Sequence, residues 1–152
     1  MALWMGGLVA LGAIAAPAVF GIVPMPASAD AMTLVFRRFD RVAIACAGVA
    51  MTCEAILAVR SGPMRGLDVA RALAVVLGAA LAIGQGVWLS PAIDALHRSG
   101  AVRGLGDAGL ALERTHRFAE TSGKTQLLLL LFALPLVVVK VARAGHRADQ
   151  PR

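Results

Sequence analysis

THRFAETSGKTQLLLLLF, residues 115–132, decides how the rest of the chain is read. Its first half places His116, Glu120 and Lys124 at i, i+4 and i+8, on one face of an α-helix. Its second half runs, with no turn signal, into an uncharged leucine-rich stretch suited to hydrocarbon. A helix passes from water into lipid here, and the chain should hold others like it.

Three more apolar segments are present. Residues 3–23 carry no charge and have Pro17 inside. Residues 42–59 contain one carboxylate, Glu54. Residues 70–89 contain Gln85, with Arg71 at the mouth. The leucine-rich segment itself reads as residues 122–142, with Pro135 inside and Lys140 near its end. A spanning helix needs about 20 largely apolar residues. Backbone groups in lipid must be satisfied within the segment, so each is predicted to be a helix.

Composition agrees. Hydrophobic residues make up 59% of the chain and charged ones 16%, against about 45–50% and 25% in soluble domains. The mean hydropathy is +0.76. The net charge is +6 and the pI about 11.0, yet no basic stripe with interleaved aromatics exists and Tyr is absent. The arginines lie between apolar segments, where cations meet anionic head groups. Nucleic acid is excluded as a partner and the lipid bilayer expected. The cations divide almost evenly between the two faces. The first helix often dominates orientation, and its nearest arginines lean towards both termini outside the cytoplasm.

The stretch before the second segment, SADAMTLVFRRFDRVA, can be capped by Asp30. Met32, Val35, Phe36, Phe39 and Ala43 follow a helical apolar period, while Arg37, Arg38 and Arg41 lie elsewhere. It reads as an interfacial amphipathic helix entering the second span. Phe39, Cys46 and Cys53 continue the stripe at seven-residue steps, a face expected to pack on another helix. The two cysteines lie about 10 Å apart along one helix, which excludes an intrahelical disulfide. Ala27-Ser28-Ala29 resembles a signal-peptide cleavage site. Against cleavage, MALW carries no cation and the apolar stretch exceeds a typical signal core.

The third segment carries Ala74, Gly78, Ala82 and Gly86 at four-residue steps. Small residues at that spacing let helices approach closely in lipid. A homo-oligomer through this face is expected. Trp88 suits a membrane interface, and Pro91 can open a further helical turn. Residues 107–124 read as an aqueous helix and residues 145–152 as a disordered tail.

Depth selects partners. Glu54 lies roughly 9 Å below the face marked by Arg60, and Gln85 roughly 22 Å below it. The two are therefore poor partners. Arg71 and Lys140 enter from the same face as Glu54 and can snorkel towards it. Gln85 instead shares its depth with Lys124 and Gln126, near Glu120, with His116 further out and Arg37 and Arg38 on the same side. A carboxylate within a span suggests function, though a paired structural role fits Glu54 as well. His116, Glu120 and Lys124 also fit a plain solvated face. Cys46, Met51 and Cys53 are soft donors of the kind Cu(I) prefers, but Met51 lies opposite the cysteine stripe. His97 and His116 flank the third loop and are possible haem or metal ligands, although neither CxxCH nor HExxH occurs. No catalytic, cofactor or metal residue is assigned. The polar residues of interest are Glu54, Gln85, His116, Glu120, Lys124, Arg37 and Arg38.

Four stretches carry a family resemblance. MGGLVALGAIAAPAVF (5–20) has Gly6, Gly7, Ala16, Pro17 and Phe20. FRRFDRV (36–42) enters the second segment. WLSPAIDAL (88–96) ends the third, with Trp88, Pro91 and Ile93. RTHRFAETSGKTQLLL (114–129) brings His116 to the fourth. In order and spacing the chain resembles the domain of unknown function 4149, or transmembrane protein 205-like, family over most of residues 5–135. Members often carry an aromatic or Ser three residues after the His, where this chain has Ala119. The resemblance implies four spans and an uncleaved first helix, with no agreed activity.

The sequence thus predicts an all-α integral membrane four-helix bundle with an interfacial helix before the second span. The expected function is non-enzymatic: a small-solute or ion transporter or a membrane accessory protein, in a bacterial inner membrane. The alternative is a haem- or copper-binding membrane protein.

Overall fold

The computed structural model describes the backbone of residues 1–60 and 66–148, and side chains within these as far as residue 141. The chain is all-α. Its helices are α1 (Ala2–Ile22), α2 (Ala27–Arg60), α3 (Gly66–Arg98) and α4 (Gly106–Ala148). All four are long and apolar enough to cross a membrane. α1 and α3 each contain a widened π-helical turn, at Ala10–Ala15 and Gln85–Leu89.

Local sequence explains where the helices stop. Val23 turns extended (φ −96°, ψ 123°) ahead of Pro24, as the clash with a proline ring requires. α3 ends where Gly100 takes φ +78°, with its N–H donating to the His97 carbonyl and the Ala101 N–H to that of Leu96. A residue with a Cβ adopts that left-handed C-cap only at a cost. Pro135 lies inside α4 without ending it.

Three features differ from the sequence expectation. The amphipathic entry is no separate element: it forms the first turns of the uninterrupted α2, because no Gly or Pro separates it from the apolar segment. On its stripe Met32 and Ala43 are buried, but Val35 is exposed. Phe39 rests against Gly7, whereas Cys53, at the far end, is exposed. At the C-terminus α4 runs to Ala148, past the point where disorder is expected; residues 149–152 lie outside the described residues.

The core is built from small side chains around one large one. Ala43 and Ala47 of α2, Ala79 and Ala82 of α3 and Leu130 of α4 surround Trp4, which is fully buried. A second layer joins Ala50, Ala74, Val75 and Ala133. Alanines let backbones approach closely, which is how helices gain dispersion energy where lipid removes the hydrophobic drive. Gly78 faces the indole, where a Cβ would sit 3.5 Å from its Cη2, an ordinary contact distance.

This packing accounts for the four-residue stripe. Ala74, Gly78 and Ala82 are buried within a single chain, and Gly86 lies against Ile44 and Asp40. The face expected to bind a second copy is occupied by α1, α2 and α4. Residue spacing reports close helix approach but does not distinguish approach within a chain from approach between chains.

α1 is also displaced along the bundle. With Gly7 beside Phe39 and Trp4 beside Ala43 and Ala47, its midpoint sits roughly 20 Å from the middle of the apolar part of α2, at 1.5 Å per residue. Its later residues, including exposed Ile14, Phe20 and Ile22, therefore run past the first turns of α2.

Candidate functional site

Polar side chains gather at three levels of the bundle. At the level nearest Arg60, Glu54 of α2 meets Arg71 of α3 in a two-pronged ion pair: Nε to Oε1 at 2.8 Å and Nη2 to Oε2 at 2.9 Å. Side-chain exposure is 2% for Arg71 and 8% for Glu54, so the pair lies inside the protein. The planar guanidinium matches a carboxylate in this way, and an ammonium cannot. The remaining Arg71 nitrogen, Nη1, donates to Asp68 at 2.9 Å, and Lys140 Nζ donates to the same Asp68 oxygen at 2.9 Å. Two carboxylates thus balance two cations, and α2, α3 and α4 are joined at one end. Depth alone brings Arg71 to Glu54. It also suggests Lys140 for Glu54, but Lys140 is taken by Asp68 in the first turn of α3.

At the middle level lies an amide cluster. Gln126 of α4 is 1% exposed. Its Oε1 accepts from Trp4 Nε1 at 3.1 Å, and its Nε2 donates to Gln85 Oε1 at 3.1 Å and to Ser122 Oγ at 3.2 Å. One side chain therefore links α1, α3 and α4. Gln85 opens the π-helical turn of α3, a distortion common at functional positions. No buried side-chain nitrogen or oxygen among the described residues is left without a partner.

At the third level, Ser90 donates to Asp40, a buried carboxylate of α2. Further out, Arg37 reaches Asp94 at 3.1 Å, and Asp94 is shared with Arg98 at 3.1 Å. Arg38 is exposed. The first turns of α4 project beyond any bilayer core: its 43 residues measure about 65 Å at 1.5 Å each, against about 30 Å of hydrocarbon. There Arg103 and Arg117 both donate to Glu113 and hold its carboxyl below the usual range, the Arg117 bond most strongly. His116 faces His97 across the loop, Nε2 to Nε2 3.5 Å apart. Burial first, then Arg103 and His97, push the His116 imidazole below its ordinary value.

The structure separates the polar set expected around His116. Gln85 meets Gln126, while Glu120 and Lys124 pair with each other at 2.6 Å on an exposed face. Depth is right for Gln85 with all three, but the helix turns Glu120 and Lys124 outward and Gln126 inward. Trp4, Ser122, Asp40 and Asp68 join the network without being singled out by sequence. Only Trp4 carried a usable signal, as a polar-tipped ring within a charge-free helix. Among the described residues no group of three or more His, Cys, Asp or Glu side chains could hold a metal together.

The model of a domain of unknown function, DUF4149, matches residues 1–101. The chain belongs to the DUF4149 family. The match takes in α1, α2 and α3, with three of the four resembling stretches, and ends in the loop before α4. The DUF4149 match therefore covers Trp4, Glu54, Arg71 and Gln85, while His116 and Gln126 lie beyond it. No curated protein and no solved structure matches the chain.

Proposed function

We propose that this DUF4149 protein is a non-enzymatic carrier of a small polar solute that crosses a bacterial inner membrane four times. The observation that carries the reading is Gln126. A fully buried amide that links three helices in an apolar core is an expensive residue to keep in lipid, where intramembrane polar groups tend to mark pathways. Its neighbours strengthen the reading. The Glu54–Arg71–Asp68–Lys140 set lies on one side of it along the bundle axis, and Asp40–Ser90 and Arg37–Asp94 lie on the other. Alanine layers lie around these levels. A central polar site with a breakable ion-paired closure at each end is the minimum that alternating access needs. Paired as they are here, all three levels are closed.

The test is flux through the reconstituted full-length chain. Proteoliposomes would be challenged with urea, glycerol, ammonium and potassium, with stopped-flow light scattering as the readout. Faster entry of at least one probe than in protein-free vesicles is expected. Gln126→Leu, checked for fold by circular dichroism and monodispersity, should lose it. Entry equal to protein-free vesicles for every probe, or flux unchanged by Gln126→Leu, would overturn the proposal. Separation of inner and outer membranes of the source cell would test the location.

A further inference from the structure

We infer that Asp40 of α2 is a proton-binding site, and that the solute crosses together with a proton taken up and released there. The second half rests on the carrier reading; the first stands without it. Two carboxylates are buried among the described residues, Asp40 and Glu54. Glu54 is gripped by both prongs of the Arg71 guanidinium. Asp40 forms no ion pair among the described residues; its partner is the Ser90 hydroxyl, whose Oγ donates to Oδ2 at 2.5 Å. The two acids are alike in burial and different in chemistry. A guanidinium has donors and no acceptor, so it suits a carboxylate only in its ionised form. A hydroxyl donates to the ionised group and accepts from the protonated one, so Ser90 can partner Asp40 in both states. A carboxylate buried without a cation is costly, and a proton is the ligand that removes the charge.

The groups around Asp40 leave it in that condition. On its own helix, Arg37 is engaged by Asp94 at 3.1 Å, and Arg38 and Arg41 are exposed. α3 presents Ser90 and Gly86, where a Cβ would lie 3.2 Å from the Asp40 Cβ; Asp94, one turn beyond Ser90, is shared by Arg37 and Arg98. α1 has no charged side chain, and its Met1 lies deeper, against the Ala50 layer. α4 brings to this end Glu120 paired with Lys124, Glu113 paired with Arg103 and Arg117, and His116 against His97. From Arg60 to Asp40 α2 rises about 30 Å, the thickness of the hydrocarbon. Asp40 is thus covered by protein at the water-side edge, one turn inside the Arg37–Asp94 pair, and opening of that pair admits a proton from water. The step is the addition of H⁺ to one carboxylate oxygen and its later return to water; no other bond forms or breaks. The acid also touches the irregular part of α3. The Ser90 N–H donates to the Gln85 carbonyl across the π-helical turn, and Pro91 has no N–H to offer. Gln85, at the start of that turn, bonds Gln126. A change of charge at Asp40 therefore acts on the turn that holds the amide cluster, as coupling a proton to a solute requires.

The experiment uses the full chain in liposomes. Infrared difference spectra on acidification are compared for wild type and Asp40→Asn, each checked for fold by circular dichroism. Wild type should gain the C=O stretch of a protonated, buried carboxyl group, and Asp40→Asn should lack that band. Ser90→Ala keeps the acid and removes its partner, so it should shift the pH at which the band appears; it keeps the site testable if Asp40→Asn does not fold. No such band in wild type, its persistence in Asp40→Asn, or an unmoved midpoint in Ser90→Ala would overturn the site. Flux is read separately, relative to protein-free vesicles, with the solute that enters in the stopped-flow assay. A proton gradient, acidic outside, should speed wild-type entry several-fold, and Asp40→Asn should lose this response. Wild-type entry that ignores the gradient, or Asp40→Asn entry that still follows it, overturns the coupling. If no solute enters at all, the carrier reading falls and the coupling with it, while the infrared band still decides whether Asp40 binds the proton.

Discussion

At the scale of single residues, energy is concentrated where a charge or an amide is buried and paired. Glu54 and Arg71 illustrate the asymmetry of such pairs. Forming one gains little, because both ions lose water, but removing one partner strands the other and costs about 3–5 kcal/mol. Glu54→Ala and Arg71→Met should therefore each lower stability by that order, and the double variant by much less than their sum. Denaturant titration in detergent micelles would show it, and additive losses would mean that the pair is not coupled. Gln126→Leu leaves the Trp4 N–H and the Gln85 carbonyl without partners, a loss of about 1–3 kcal/mol for each orphaned group. Trp4→Phe combined with Gln126→Leu should regain part of it. At the exposed end, His116 titrates. Its folded pKa lies below the ordinary 6.5, so the unfolded chain binds the extra proton first. The stability this residue contributes is complete above about pH 6.5 and declines as pH falls from there to the depressed value. A melting-temperature profile from pH 7.5 to 5 should slope downwards on acidification, and His116→Phe should flatten it. An unchanged slope would exclude His116 as its source.

At the scale of elements, what matters is how closely helices approach. Gly7 is a close approach between α1 and α2, since a Cβ there would run into the Phe39 ring, whereas one on Gly12 meets nothing within 4 Å. Gly7→Leu should therefore cost about 1–3 kcal/mol of overpacking and Gly12→Leu almost none, read by the same denaturant titration. Equal effects would show that the α1–α2 contact is not formed. The helices themselves were legible in the sequence, because runs of apolar residues longer than a bilayer is thick have few other meanings. Partners at one depth were legible too, as with Glu54 and Arg71, since depth follows from counting residues. Rotation was not. Lys124 and Gln126 lie at similar depth, yet the first meets solvent and the second the core, and only the packing of α4 on α1 and α3 selects between them. The same limit explains the Ala74–Gly86 stripe, whose spacing marks close approach but not the identity of the approaching helix.

At the scale of the whole molecule, the fold separates two ends with different chemistry. One end carries the balanced set of Glu54, Arg71, Asp68 and Lys140. The other carries Arg37, Arg38, Arg41, Arg98, Arg103 and Arg117 around His97 and His116. The end that holds His97 and His116 also receives both the α1–α2 turn and the α3–α4 loop, because the four helices alternate in direction. Its cations favour anionic head groups, and Ile14, Phe20 and Ile22 of α1 are exposed. Sequence alone left orientation nearly balanced, because the cations divide almost evenly between the two faces. The alternation makes a definite expectation. In a background with Cys46 and Cys53 replaced by Ser, Met25→Cys and Ser99→Cys should react with a membrane-impermeant maleimide from one side of sealed vesicles. Leu67→Cys, exposed at the start of α3, should react only from the other. If Met25→Cys and Ser99→Cys label from opposite sides, one helix does not cross, and the carrier reading fails with it. If they share a side, the labelled face fixes which compartment the His97–His116 pair meets.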